Sequence, residues 1–561
     1  LLLLKIPLRC TNLLAKLHAI YDEPMFNMRI LLIHAGGYSQ RMPTCSAMGK
    51  IFSTIAVDSP SVNDMLDLKL ATFLSFSVNM APGIFVTSSD DFATFDNNEQ
   101  LDYGNVMGHF GNEFVLLAHK SSIEVGKDHG VYVLEPPPPL TLTMVDNPCL
   151  FRCKLVLQKP SVERMALFGA IQNDNEQQPF VYTDSSFYFS SSVSRKLLAY
   201  HDKHFETLKR LNIEVDAYRD FLQPLGSSPL SLDEYLASSC GSNGAERREL
   251  FAELYNTLTK CSTIVLALTN SKFYHLGTMN ELFEHYLDET SRQGVEFRRD
   301  LCFRRIKSAA ADDDLPAASS TRSVILFSKL NSNTCKLSPK SIVEYCSMVD
   351  DSAQLVLNDH CLLSNCMIGA INRTPFIYNV PANVCMHTLP ISVVESERTT
   401  TKYATIFFSR NDDLKRVYAD FGSVAFLDKR MPHHLHEICA YSASFGAIAT
   451  IWNLKIFRAY DTMSESFYKS LKFIHSYHML HNESNSSIET TNSESTTNYQ
   501  SSSSSSSISS SIVLLSTTSQ TNEDEEETDD LGDLKGFYSL FDLLKMVNVY
   551  EILAFRNQLA P

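Results

Sequence analysis

The sequence predicts an α/β protein whose first domain is built on a mixed, largely parallel sheet and whose second is a stack of parallel β coils. Three observations carry this. From about residue 29 to 290, short β-branched or apolar runs alternate with stretches of helical periodicity, the pattern of βα units. A buried strand in "MRILLIHAGG" runs directly into a glycine turn. Past residue 322, "SIVEYCSMVDDSAQLVLNDHCLLSNCMI" repeats small apolar residues between polar spacers every few positions, as stacked coils do. The expected organisation is a first domain over 1–295, a linker over 296–322, a β-helix-like domain over 323–481, a disordered segment over 482–532 and a helical end over 533–561.

The elements follow in order. "SVNDMLDLKLATFLSF" sets Val62, Met65, Leu66 and Leu70 at three-to-four spacing, an amphipathic helix. "PGIFVTSSDD" is a second buried strand, closing on Asp90 and Asp91. "SRKLLAYHDKHFETLKRL" puts Leu197, Leu198, His201, Phe205 and Leu208 on one stripe, with His201 as half-buried packing rather than a ligand. "SRQGVEFRRD" through "ADDDLPAASSTR" is charged, then rich in Ala, Ser and Asp, and reads as the connector. Residues 482–530, with seven consecutive serines at Ser501–Ser507, bury too little apolar surface to offset their ordering entropy. "LKGFYSLFDLLKMVNVYEILAFRNQL" then returns to an apolar helical pattern.

A chain of 561 residues supports two or three domains. Its net charge of −16 excludes a general nucleic-acid binder, which needs clustered Lys and Arg. Seven of the acids sit in "EDEEETDD", Glu523–Asp530, read as a solvated insertion. The thirteen cysteines are odd in number and scattered, which fits a reducing, cytoplasmic setting. Cys149 and Cys153 in "CLFRC" lack a second pair at zinc spacing and read as buried thiols. "HHLHEIC", His433–Cys439, reads as a loop-to-helix surface in preference to a metal site. No run of about 18 apolar residues is present, so no membrane partner is expected. The opening "LLLL" has neither the basic region nor the cleavage site of a secretory signal. Because the chain begins with Leu, a fragment or a misplaced start is expected. No pattern fixes an oligomeric state.

The chemistry gathers around "ILLIHAGGYSQRMPTCSAMGKIF", Ile30–Phe52. A strand entering Gly36-Gly37 lets backbone amides approach phosphate oxygens, where a Cβ would stand in the way. Arg41 and Lys50 add two cations able to meet a polyphosphate. The segment lacks the Gly-Lys-Ser/Thr of a Walker loop and the third glycine and distant acid of a dinucleotide fingerprint. A polyphosphate calls for a divalent cation held by one or two carboxylates. Asp90 and Asp91, at the carboxyl end of a neighbouring strand, stand where open α/β sheets bind ligands, the alternative being a helix cap.

"HAGGYSQRMPTCSAMGKIF" resembles the signature of the sugar-nucleotide pyrophosphorylases, and of their fucose-1-phosphate guanylyltransferase (GDP-L-fucose pyrophosphorylase) family in particular. "DHGVYVLE", "VYTDSSFYF", "VDAYRDFLQPLG", "NSKFYHLGT", "YATIFF" and "IWNLKIF" resemble that family in order and rough spacing. The resemblance implies a Rossmann-like nucleotidyltransferase core over 1–295 and a left-handed β-helix after it. It implies transfer of GMP from GTP to β-L-fucose 1-phosphate with Mg²⁺, in cytosolic fucose salvage. Residue by residue, it implies nucleotide binding by Gly36 and Gly37 and catalytic roles for Arg41 and Lys50. It further implies metal binding by Asp90, with Asp91 the fallback, and sugar-phosphate binding by Lys159, Gly130 and Asp184. Two departures stand out. Gln158 replaces the glutamate before Lys159, and His275 stands where the wider superfamily has a second metal carboxylate, leaving His275 or Asp216 for that site. No Pro-x-Gly-Leu-x-Ser-Ser loop of sugar kinases occurs. Another sugar-1-phosphate nucleotidyltransferase and a non-catalytic pseudoenzyme are the alternatives.

Overall fold

The computed structural model describes residues 10–35, 37–55, 64–95, 112–135, 150–174, 176–213, 215–240, 244–268, 271–287, 304–305, 323–350, 352–369, 376–395, 398–418, 423–431, 450–489 and 537–559. Contacts divide the chain into two units. The first holds Leu1–Ser39, Met48–Gly277 and Gln293–Phe297, the second Gln40–Ala47, Thr278–Arg292 and Arg298–Pro561. Gly36, Val62, Cys149, His433–Cys439, Ser501–Ser507 and Glu523–Asp530 lie outside the described residues.

The strands of the first unit are β1 (Arg29–His34), β2 (Gly83–Ser88), β3 (Asp91–Thr94), β4 (Phe114–Ser121), β5 (Gly130–Leu134), β6 (Leu150–Gln158), β7 (Gln172–Asn173), β8 (Pro179–Ser190), β9 (Thr263–Ala267) and β10 (Lys272–His275). Its main sheet has the order β1-β2-β8-β4-β9-β6-β5, with β7 beside β8. The sheet is mixed as expected but is not largely parallel. Among the described strands of this sheet only β1–β2 and β4–β9 pair in parallel, while β8 runs antiparallel to β2, β4, β5 and β7. The reason is physical: burial on both faces does not report strand direction, and β8, buried along nearly its whole length, reads the same in either direction.

Helices flank the sheet: α1 (Cys10–Tyr21), α2 (Met65–Asn79), α3 (Ser191–Arg210), α4 (Leu232–Cys240) and α5 (Ala245–Leu258). The α2 helix starts where the Asp64 carboxylate accepts the Asp67 amide, and it buries Met65, Lys69, Phe73 and Phe76 on one face. In α3, Leu197, Leu198 and Leu208 are buried as the stripe predicts. His201 is buried fully rather than by half, its Nε2 2.8 Å from Asn12 Oδ1 on α1. Phe205 departs from the stripe and is 39% exposed, because its ring lies on His201 at the rim, with the Lys209 ammonium over its outer face.

The second unit is a coil of short strands: β11 (Arg304–Arg305), β12 (Val324–Leu326), β13 (Lys329–Leu330), β14 (Cys335–Leu337), β15 (Ile342–Glu344), β16 (Ser347–Met348), β17 (Gln354–Leu357), β18 (Leu362–Ser364), β19 (Met367–Ile368), β20 (Ile377–Val380), β21 (Val384–Glu395) and β22 (Arg398–Ser409). The chain visits three sheets in turn. They are β11-β13-β16-β19, β12-β15-β18-β21 and β14-β17-β20, all parallel up to β21, where the β21–β22 hairpin closes the stack. Phe327, Tyr345 and Asn365 follow β12, β15 and β18 and turn the corner with φ of 47°, 50° and 53°. Their repeat spacing lets the Phe327 and Tyr345 rings stack at 5.1 Å.

Helices α6 (Met279–Leu287), α7 (Met463–Glu489), α8 (Leu540–Met546) and α9 (Val549–Leu559) complete the second unit. The apolar C-terminal pattern makes two helices, not one. A reciprocal cap between Ser539 and Asp542 starts α8, and α9 is fixed to the coil by Arg556, whose Nε donates to Asn365 Oδ1 at 3.0 Å with its guanidinium 4.1 Å over Tyr345. Among the described residues no helix is long and apolar enough to cross a membrane.

Candidate active site

The register of β1 on β2, Arg29 opposite Gly83 through His34 opposite Ser88, brings the carboxyl ends of both strands level. The chain leaves β1 into the glycine loop and leaves β2 into Ser89 and Asp90, so loop and carboxylate rise from one edge of the sheet. Gly37 holds φ +99°, and a Cβ built on it meets nothing within 4 Å. Conformation rather than crowding therefore demands glycine there. Ser39 also adopts a left-handed φ, 51°. Gly49, at φ +94°, turns the chain into Lys50.

Lys50 lies with its side chain 12% exposed and donates from Nζ to Asp90 Oδ2 at 3.1 Å and to the Gly277 carbonyl at 3.2 Å. Burial alone would raise the Asp90 pKa. The Lys50 and His275 charges and the hydrogen bonds from Ser88 and Lys50 outweigh it and hold this carboxyl well below the usual carboxylate range. Asp90 thus keeps its negative charge, with its side chain 35% exposed. The antiparallel pairing of β3 with β10 sets His275 opposite Asp91, and its Nε2 lies 3.9 Å from Asp90 Oδ2. The His129 ring stands edge-on to His275 at 5.4 Å, and burial, with His275 beside it, lowers the His129 pKa. A Cβ on Gly277 would strike the His275 ring at 2.1 Å, so glycine at 277 makes room for it.

Asp91 differs from its neighbour. It is buried, with the Lys69 ammonium 2.5 Å from Oδ1 and the Ser88 hydroxyl 2.5 Å from Oδ2. Ser88 also faces Asp90 Oδ1 at 2.8 Å, linking the two acids.

A second group forms where β5 meets β6 and β8. The Gly130 amide donates to Asp184 Oδ1 at 2.9 Å, and a Cβ on Gly130 would lie 2.2 Å from Asp184 Oδ2. Burial, reinforced by the charges of Asp91 and Asp216, pushes the Asp184 carboxyl up to about 7 against the Gly130 bond and Lys159. Lys159 is exposed, holds φ 45°, and donates its amide to the His129 carbonyl at 3.0 Å. Asp216 is exposed, and its Oδ1 accepts the amides of Tyr218 and Arg219 at 2.8 Å each, capping a short helical turn. Arg41 is exposed and belongs to the Gln40–Ala47 segment of the second unit, where its carbonyl accepts the Met279 amide.

Sequence reasoning passes over Lys69, Ser88, His129 and Gly277. Lys69 leaves a signal, since Met65, Lys69, Phe73 and Phe76 follow helical spacing and a lysine occupies a stripe that is otherwise apolar, and Gly277 leaves one too, two residues after His275 in "NSKFYHLGT". Among the described residues no three His, Cys, Asp or Glu side chains group as a metal cage. The arrangement can therefore offer a polyphosphate loop amides, the half-buried Lys50 ammonium and one ionised carboxylate.

Residues 22–462 match the model of the fucose pyrophosphorylase domain. A fucose-1-phosphate guanylyltransferase of Homo sapiens is 31% identical over 487 residues, covering 82% of this chain and 74% of that protein. One of Mus musculus is 30% identical over 459 residues, covering 78% and 70%. A bifunctional fucokinase/GDP-fucose pyrophosphorylase of Arabidopsis thaliana is 23% identical over 288 residues, 49% of this chain and 24% of that protein.

Proposed function

Because the chain belongs to the fucose pyrophosphorylase domain family, we propose that it transfers GMP from GTP to β-L-fucose 1-phosphate, giving GDP-L-fucose and pyrophosphate. It is a nucleotidyltransferase. The observation that carries the reading is the meeting of Lys50 and Asp90 at the level carboxyl ends of β1 and β2, beside the glycine loop.

In this reading a phosphate oxygen of the sugar phosphate attacks the α-phosphorus of GTP. The bond from that phosphorus to the bridging oxygen breaks, and pyrophosphate leaves with the electron pair. Little covalent work falls to the protein, so positioning and charge neutralisation supply the rate. Gly36 and Gly37 present amides to the phosphates. Lys50 exchanges its Asp90 partner for a phosphate oxygen, and Arg41 neutralises the leaving pyrophosphate. Lys159, Gly130 and Asp184 hold the sugar phosphate, with Asp184 able to donate a proton because its neutral form persists to about pH 7.

Mg²⁺ completes the proposal, and the donors suit it: an ionised, partly exposed Asp90 matches an ion that takes one or two carboxylates and the rest of its oxygens from phosphates and water. When bound, such an ion neutralises charge on the triphosphate. Asp91, with both oxygens engaged, suits that task less well. His275 or Asp216 remains for a second ion. The coil of the second unit is proposed to wind left-handed. A cytosolic location is supported by nine described cysteines that are all free thiols.

His275 in place of an acid favours a second reading, a sugar-nucleotide-binding protein without turnover. Pyrophosphate release with GTP, Mg²⁺ and fucose 1-phosphate tests both. Turnover supports the enzyme, and binding without release supports the second reading.

A further inference from the structure

We propose that Lys69 is a positioning residue of this reaction: from beneath the site it ties up Asp91 and, through Asp91 and Ser88, sets the carboxylate of Asp90. The inference rests on the proposed function and adds a residue to it.

Lys69 is among the largest fully buried side chains of the molecule, 1% exposed. A buried ammonium is costly unless charge and hydrogen bonds compensate it, so its partners show what it is for. Nζ meets Asp91 Oδ1 at 2.5 Å and Thr87 Oγ1 at 3.0 Å, and it lies 5.2 Å from the centre of the Phe73 ring. Thr87 is in turn fixed by the Ser186 hydroxyl at 2.9 Å. Asp91 spends its other oxygen on Ser88.

The Ser88 hydroxyl is the link. Its oxygen accepts the Asp90 amide at 3.3 Å, and its proton faces both Asp90 Oδ1 and Asp91 Oδ2. One face of the Asp90 carboxylate is thereby held, leaving Oδ2 toward Lys50. The Asp90 carbonyl accepts the Leu276 amide at 2.7 Å, so the backbone of this turn is pinned as well. Two lysines balance two aspartates, but unequally. Asp91 is withdrawn into the interior by Lys69, and Asp90 is the carboxylate the site presents. A purely structural pair would stabilise α2 against β3 and leave Asp90 indifferent to its loss.

The test uses the full chain with Lys69→Met, Asp91→Asn, the double variant, and Ser88→Ala. Melting temperature, kcat and KM for GTP, and Mn²⁺ binding followed by electron paramagnetic resonance without substrate are measured for each. Expected are a fall in kcat of about 10- to 100-fold in Lys69→Met and Asp91→Asn, the scale of a mis-set reacting geometry, with KM for GTP changed less than about 3-fold. Mn²⁺ binding weakens in the same variants. The double variant loses no more than either single one, since all act through one link. Folded Lys69→Met with wild-type kcat and Mn²⁺ affinity overturns the proposal, as do losses that add in the double variant. If Lys69→Met fails to fold, Ser88→Ala decides: unchanged kcat and Mn²⁺ binding in it overturn the proposal. A wild-type chain that makes no GDP-fucose refutes the proposed function, whereas the Mn²⁺ titration still reads whether Lys69 governs Asp90.

Discussion

Lys50 joins Asp90 to the Gly277 carbonyl, so its ammonium is held at the site before any phosphate arrives. Lys50→Ala and Arg41→Ala are each expected to lower kcat by about 10²- to 10³-fold, the usual cost of losing one charge-stabilising donor, with folding unchanged by circular dichroism. Gly130→Ala forces a methyl group into Asp184 Oδ2 and is expected to raise KM for the sugar phosphate several-fold, read from initial rates. Asp184 also sets a pH dependence. Its folded pKa of about 7 lies above the ordinary 3.8, so its contribution to stability is full below about 3.8 and is lost as pH rises to about 7. Asp184→Asn should melt several degrees above wild type at pH 8, with the gap closing toward pH 4. Part of the wild-type slope should remain, because burial raises Asp412 to about 7 as well.

At the scale of elements, the corner ladder of the coil carries the most specific expectation. Arg556→Ala removes the bond to Asn365 and the cover over Tyr345, and should cost about 1–3 kcal/mol in urea unfolding. Strand β2 and the repeated coil were legible because burial writes itself into apolar spacing; α2 was legible as a helix, but its buried face is Met65, Lys69, Phe73 and Phe76, while Leu66 and Leu70 of the expected stripe are only half-buried. Strand direction was not legible: β8 is buried along nearly its whole length, and burial does not report direction. Near the site, the ends of β1 and β2 were legible as Gly37 and Asp90, since both follow apolar runs directly. The unlike fates of Asp90 and Asp91 were not. They depend on Lys69, twenty-two residues away in sequence, and on which face of a turn each carboxylate takes. His129 was silent for the same reason, its role being set by a contact with His275 that no local spacing encodes.

At the scale of the whole molecule, the family match over residues 22–462 draws on segments of both units, and with it comes the chemistry that the residues alone leave general. Loop amides, Lys50 and Asp90 are proposed to hold a triphosphate, and they name neither guanine nor fucose. The most direct measurement is therefore pyrophosphate release by the full chain with GTP, Mg²⁺ and β-L-fucose 1-phosphate, run beside UTP and mannose 1-phosphate. The account predicts release with the first pair that exceeds either substitution by at least about tenfold and disappears on Lys50→Ala. Equal release with UTP or with mannose 1-phosphate, or none with any pair, would contradict it.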